Sequence, residues 1–401
     1  MIESVIEQHW ELAAFLWARR DAAAVSHHYT ATKLDELDDR LEAHLDGLRI
    51  AGDPAFGLGR ESLSLDRAGA VFAFGQLALS LRRPDLFATL LDEAAPSAEL
   101  SRGLVSALGW APFEDVEDVL CALLDVSCPE PLKQLGLGGF AAHRRDPGAP
   151  LGDALSAAEP QLLARALRSA AELGRVDLLP RVVAQLEAGD RAVRGWAAWS
   201  AVLLGDRSQV PRLWELASSD DALGLAAVKL ASRASEPGEA TRQLEQLAAS
   251  TEGVRPAVFG TAALGDPIRI PWLIEQMRVA EHARAAGAAV QAILGIDLRA
   301  ARLMAEAPPE DAPGPNDDPN DPVVDPHPDH ALPWPDPEGV HRFVGSQHFP
   351  AGLRLLAGKP IEPAWLSKVL AAGKQALRAA AAEELVLLEP GTPLREVRAR
   401  A

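Results

Sequence analysis

The sequence predicts an all-α fold, an alpha-alpha superhelix built as a solenoid with an irregular C-terminal extension. Three observations carry this. Apolar helical stretches return at roughly thirty-residue spacing between Gln161 and Leu298. Several of them stop at glycine: Leu162–Leu173 at Gly174, Val193–Leu204 at Gly205-Asp206 and Val254–Leu264 at Gly265-Asp266. Val193 to Asp206 also aligns with Val254 to Asp266, about two periods away. A helix pair of this size cannot bury its apolar face alone, so it stacks on its neighbours.

The repeat type follows by exclusion. Tetratricopeptide units need a Trp, Leu-Gly and Tyr pattern, and the chain holds one Tyr. The Thr-Pro-Leu-His turn of ankyrin units is missing. Short HEAT-like units remain. Abundant Ala and Leu favour helix, and β-branched residues rarely cluster.

The 401 residues carry a formal net charge of -18, which argues against nucleic-acid and anionic-membrane partners. No stretch reaches 18 uninterrupted apolar residues, so no membrane span is expected. The first ten residues lack the basic start and apolar run of a signal peptide. Cys121 and Cys128 are too few for a disulfide framework or a zinc site, and read as reduced, mostly buried thiols in a cytoplasmic protein.

Four segments are expected: a helical cap over 1–60, the HEAT-like repeat domain over 61–305, an acidic proline-rich loop over 306–337, and an irregular segment with a helix packed on the repeats over 338–401. In the cap, Ile2, Val5, Ile6, Trp10, Ala13, Ala14 and Trp17 form one amphipathic helix, and Leu34, Leu37, Leu41, Leu45 and Leu48 the stripe of a second. Asp38, Glu42 and His44 on the second helix are candidates for a polar or metal site. The spacing opposes it, because Glu42 and His44 point different ways, and a solvated acidic face is the better reading. Residues 49–59 read as a turn-rich connection without a phosphate-loop pattern.

Within the repeats, Val176–Leu186, Val210–Leu216 and Trp272–Met277 read as partner helices, and Asp206, Asp266 and Asp297 as caps. Trp196, Trp199, Trp214 and Trp272 are expected to seal repeat interfaces, or to anchor a partner where one is exposed. Glu281-His282 lacks the second His of a zinc-protease motif, since residue 286 is Ala; His282 reads as a surface or terminal histidine. No Gly-x-Ser-x-Gly elbow occurs.

From Ala307 to Pro337 there are eleven prolines and eight acidic side chains with no Lys or Arg, which excludes regular helix and predicts a mobile strap. Asp317, Asp318, Asp321 and Asp325 do not follow the calcium-loop pattern, and His327, Asp329 and His330 fix no fourth metal ligand. Trp334 is expected to pin the strap to the body. Residues 339–354 read as irregular and Lys374–Leu388 as the last helix.

The residues Gln8-His9, Ala13-Ala14-Phe15-Leu16-Trp17, Leu37-Asp38-Asp39-Arg40-Leu41 and Ala43-His44-Leu45-Asp46-Gly47-Leu48 are similar to the opening of a bacterial family of uncharacterised proteins with HEAT-like repeats of the phycobiliprotein-lyase type. The likeness continues through Gly265-Asp266-Pro267, Trp272-Leu273-Ile274, Gly295-Ile296-Asp297-Leu298, Leu332-Pro333-Trp334-Pro335-Asp336-Pro337, Gly373-Lys374-Gln375 and Leu387-Leu388-Glu389-Pro390-Gly391. The resemblance implies no activity and no bilin site. Through relatives near type VI secretion genes it implies a cytoplasmic adaptor or immunity protein, with a secretion-system component or effector as partner. The expectation is therefore a non-catalytic protein-interaction scaffold without cofactor. The alternative is an enzyme or metal-handling protein whose site is assembled from distant residues.

Overall fold

The structure, a computed structural model, describes residues 2–63, 67–306, 329–345, 347, 349, 350 and 352–400, with the backbone alone at 61–63. These residues form an all-α, HEAT-like array of helix pairs, with one two-residue β-ribbon. They divide into two compact units: 1–205 with 370–382 and 389–401, and 206–369 with 383–388.

The first unit opens with α1 (Glu3–Ala23), α2 (Ala31–Ala51) and α3 (Asp53–Leu63), followed by α4 (Ala68–Ser80), α5 (Pro84–Ala94), α6 (Ala98–Trp110), α7 (Phe113–Leu123), α8 (Glu130–Ala142), α9 (Ala149–Ala154), α10 (Pro160–Glu172), α11 (Leu179–Val183) and α12 (Arg191–Leu203). Helices α1, α4, α6, α8, α10 and α12 form a ladder in which each packs on the next. Helices α5, α7, α9 and α11 pack beside it as the second layer. Helix α4 is buried all round, from Ala68 to Ala78, as a helix enclosed by neighbours must be. Its Phe72 and Phe74 stack at 6.0 Å on Trp17 and Trp10, and Trp10 donates its indole N–H to the Ala55 carbonyl at 3.0 Å.

The second unit repeats the scheme. Helices α14 (Ala222–Ala234), α16 (Thr251–Leu264) and α18 (Ala280–Leu294) form the ladder, with α13 (Val210–Leu216), α15 (Pro237–Leu247) and α17 (Ile270–Gln276) beside them. Helix α19 (Pro337–Gly345) packs on α17. The ribbon pairs β1 (Leu355–Leu356) with β2 (Lys359–Pro360). Helices α20 (Pro363–Ala372) and α21 (Gln375–Leu388) complete the order. The expected aspartates do cap: Asp206 accepts from the Ser208 amide, Asp266 from Ile268 and Asp297 from Arg299.

The C-terminal part of the chain closes the ends of ladder helices. The last carbonyls of a helix have no partner within it. In the first unit, the Leu394 amide donates to the Glu172 carbonyl at 2.9 Å, and Arg144 Nε to the Leu394 carbonyl at 2.6 Å. In the second, the Leu355 amide donates to Gly265 at 2.8 Å, Ala357 to Ala292 at 2.7 Å and Gly358 to Ile293 at 2.9 Å. Gly174 and Gly265 hold φ of 68° and 74°, and a Cβ there would run into the carbonyl oxygens of Gly391 and Leu355. Glycine thus meets two demands at each stop, the left-handed turn and the close approach of a second backbone.

Four local expectations are corrected. Residues 53–63 are helix α3, because Pro54 sits in the first turn, where its missing N–H costs no bond. Residues 337–345 are helix α19, not irregular chain. Cys121 is exposed and Cys128 half-buried. His282 begins α18 but is buried, 5 % exposed.

Candidate functional site

The polar residues of α2 are tied up in local pairs. Asp38 lies buried against Arg20, taking Nε at 2.8 Å and Nη2 at 3.1 Å in a two-point pair. Glu42 accepts from Arg49 at 2.5 Å, the Trp110 indole at 2.7 Å and Arg400 at 2.8 Å. His44 meets His9 instead, Nδ1 to Nδ1 at 3.0 Å. Burial, then the charges of His9 and Arg40, lower its pKa. Among the described residues no three His, Cys, Asp or Glu side chains are grouped to hold a metal. Asp317, Asp318, Asp321, Asp325 and His327, and most of the predicted mobile strap, lie outside the described residues.

The tryptophans divide by surroundings. Trp199 is 5 % exposed, with its indole N–H unpartnered, and meets Trp196 edge-on at 5.6 Å. Trp196 is half-buried beneath the Arg168 guanidinium, 4.4 Å from the ring centroid. Trp214 donates to Ser235 Oγ at 3.1 Å, and Trp272 packs on the cores built around α16 and α17 while Arg269 covers its ring. Trp334 lies half-buried under Arg284 at 5.2 Å.

The later ladder helices of each unit are richer in basic than in acidic residues. Helices α10, α12, α14, α16 and α18 hold eight Lys or Arg against three Glu, whereas the whole chain has 39 basic and 57 acidic residues. In the first unit Arg165 pairs with buried Glu172, and Arg168 approaches the same carboxylate at 3.5 Å. Crowding, then Arg165, draws Arg168 down to about 10, so it stays charged at neutral pH. Its Nε finds no hydrogen-bond partner. Burial opposes the Glu172 charge, but Arg165, Arg168 and Arg144 outweigh it and hold the carboxyl below its ordinary value of 4.5.

In the second unit Lys229 and Arg255 lie over the Phe259 ring from two helices, at 5.0 and 4.8 Å. Burial, then Arg233, lower the Lys229 pKa. Arg233 and Arg354 converge on Glu383 and Glu384. Arg255 takes Asp220 at 2.5 Å and Asp329 at 2.9 Å, and Arg284 donates to the Leu332 carbonyl at 2.5 Å. Guanidinium and aromatic groups in this arrangement recognise carboxylates and backbone carbonyls; no nucleophile or proton-transfer pair accompanies them among the described residues.

Sequence reasoning singled out the tryptophans but not the cations above them. The available signal was a lone Arg or Lys in an Ala-rich helix with no acid four residues away, as at Arg255 and Lys229.

No curated protein matches the chain. Residues 148–233, from α9 to α14, match a family model described as HEAT repeats, so that stretch is similar in sequence as well as in helix pairing to such repeats.

Proposed function

We propose that this chain is a non-catalytic protein-interaction scaffold, an adaptor or immunity-type protein of the bacterial cytoplasm, that holds an acidic segment of a partner protein on the open side of its ladder helices. HEAT-like arrays present extended surfaces of this kind. The observation that supports the reading is the reversal of charge within each unit, four basic side chains against one acidic on α10 and α12 and four against two on α14, α16 and α18, in a chain of net charge -18. Trp196 is the proposed anchor, with Trp199 behind it; Trp214 and Trp272 serve packing, and Trp334 holds the chain's own segment. A secretion-system component or effector is the proposed class of partner.

The test is co-purification of the full chain with proteins encoded beside its gene. A stable complex that weakens with salt, and falls at least about tenfold in affinity in Trp196→Ala and Arg168→Glu, is the expected result. Absence of any stable partner in that set overturns the reading. Stoichiometric transition metal in untagged protein would replace it with the assembled-site alternative.

A further inference from the structure

Residues 329–336 lie along the second unit's ladder in the manner of a bound peptide. The Asp329 carboxylate, 5 % exposed, meets Arg255 through Nε at 3.1 Å and Nη2 at 2.9 Å. The Leu332 amide closes a turn on the Asp329 carbonyl at 2.8 Å. Arg284 reads backbone, donating to the carbonyls of His330 at 3.2 Å and Leu332 at 2.5 Å. The Leu332 side chain is buried, and the Trp334 ring lies beneath the Arg284 guanidinium. The base of the excursion is fastened by separate bonds, Ala305 amide to Trp334 carbonyl at 3.1 Å and Asp336 amide to Leu303 carbonyl at 2.8 Å.

These are the elements of peptide recognition: a two-point carboxylate clamp, a backbone reader, a buried aliphatic group and a stacked aromatic ring. Lys229 on α14 feels the Asp329 and Glu383 carboxylates without pairing with either. Lys229 lies over Phe259 beside Arg255 and makes no ion pair among the described residues. We infer that the open side of α14, α16 and α18 is a peptide groove occupied by the chain's own residues 329–334, and that a partner segment with a carboxylate, an aliphatic and an aromatic side chain at that spacing takes their place. The inference rests on the scaffold reading above and names its ligand.

Self-occupancy sets a measurable threshold. A partner sees only the open fraction of grooves, so its apparent affinity falls by that fraction. Charge selects the competitor, since Lys229 and Arg255 favour an acidic peptide over a basic or neutral one.

The probe is a fluorescein-labelled peptide with the sequence of residues 329–336, followed by anisotropy on the full chain. Asp329→Ala with Leu332→Ala releases the internal segment, and this variant is expected to bind the peptide at least about tenfold more tightly than the unaltered chain. Adding Lys229→Glu, a change on the open side of α14, should abolish that gain while the far-ultraviolet helical signal is kept. A peptide carrying Asn in place of its first Asp should bind at least about tenfold more weakly. Hydrogen exchange on the unaltered chain needs no substitution: saturating peptide should accelerate exchange of the Leu332 amide. Equal binding by the two forms, no binding by either, or unchanged Leu332 exchange overturns the inference. So does displacement of the peptide by a single-stranded oligonucleotide but not by a second acidic peptide. If an acidic partner binds and is lost on Arg168→Glu, yet releasing Asp329 changes nothing, this inference falls and the scaffold reading stands.

Discussion

Asp38 and Glu42 on α2, and Arg168 and Lys229 on α10 and α14, are charged side chains on helices that pack in the array, but their surroundings differ. The α2 carboxylates are enclosed by arginines and an indole N–H, with every strong contact made inside the chain. Lys229 has aromatic and cationic neighbours and no ion pair among the described residues, and Arg168 keeps an unpartnered Nε. A run of acids in a sequence therefore says little about charge available to a partner. The deciding question is whether opposite charges from distant segments have already consumed it.

That contrast breaks most severely at Arg20 and Asp38. Asp38→Ala leaves Arg20 buried without its counterion, and loss of one member of such a pair costs about 3–5 kcal/mol. The first unit's denaturation transition should shift accordingly, and a shift below about 1 kcal/mol would mean that water replaces the carboxylate.

Next in size is Gly265→Ala. The left-handed turn alone costs about 1–2 kcal/mol with a side chain, and the added methyl group also pushes on the Leu355 carbonyl. Amide exchange at Leu355 and Ala357 should rise before that of α16. Unchanged exchange would show that the ribbon is not held by this helix end.

Glu172 sharpens the comparison through pH. Its folded pKa lies below its ordinary value of 4.5, so its stabilisation is complete above that value and is lost as pH falls through the folded pKa. Glu172→Gln should be less stable than the unaltered chain at pH 7, and the two denaturation curves should draw together below pH 4.5. A gap that widens in acid would contradict the assigned direction.

The smallest stability effect belongs to Lys229→Met. It removes a charge that burial disfavours and that Glu383 and Asp329 support without an ion pair among the described residues, so stability should change by less than about 0.5 kcal/mol or rise. Binding of an acidic partner should weaken at the same time. A loss of several kcal/mol would place Lys229 with the structural charges of α2.

The repeat period, the Gly-Asp stops and the capping aspartates were legible because each is a local effect, written within a few residues. Val210–Leu216 is helix α13 to the residue. Helix α15 was passed over although Ala240, Leu244 and Leu247 fall at i, i+4 and i+7, because the stripe is only three residues long and follows Pro237-Gly238. The charged face was hidden for another reason. A single Arg in an Ala-rich helix reads as solubilising until Phe259, Asp220 and Asp329, from 4 to 74 residues away, are seen around it. The same distance hid the fate of Asp38, whose partner Arg20 lies on the preceding helix.

The glycine stops of α10 and α16 also set an order of events during synthesis. The Glu172 carbonyl receives its bond from Leu394, more than two hundred residues later, and at about 5–20 residues per second it waits roughly 10–40 s as the chain leaves the ribosome. Gly265 waits a shorter time for Leu355. Until then the ends of these helices are open to water and to other chains. The segment around Leu394 acts as the closing stitch of helices that can form long before it, so a chain interrupted after α21 would emerge with α10 still unsealed.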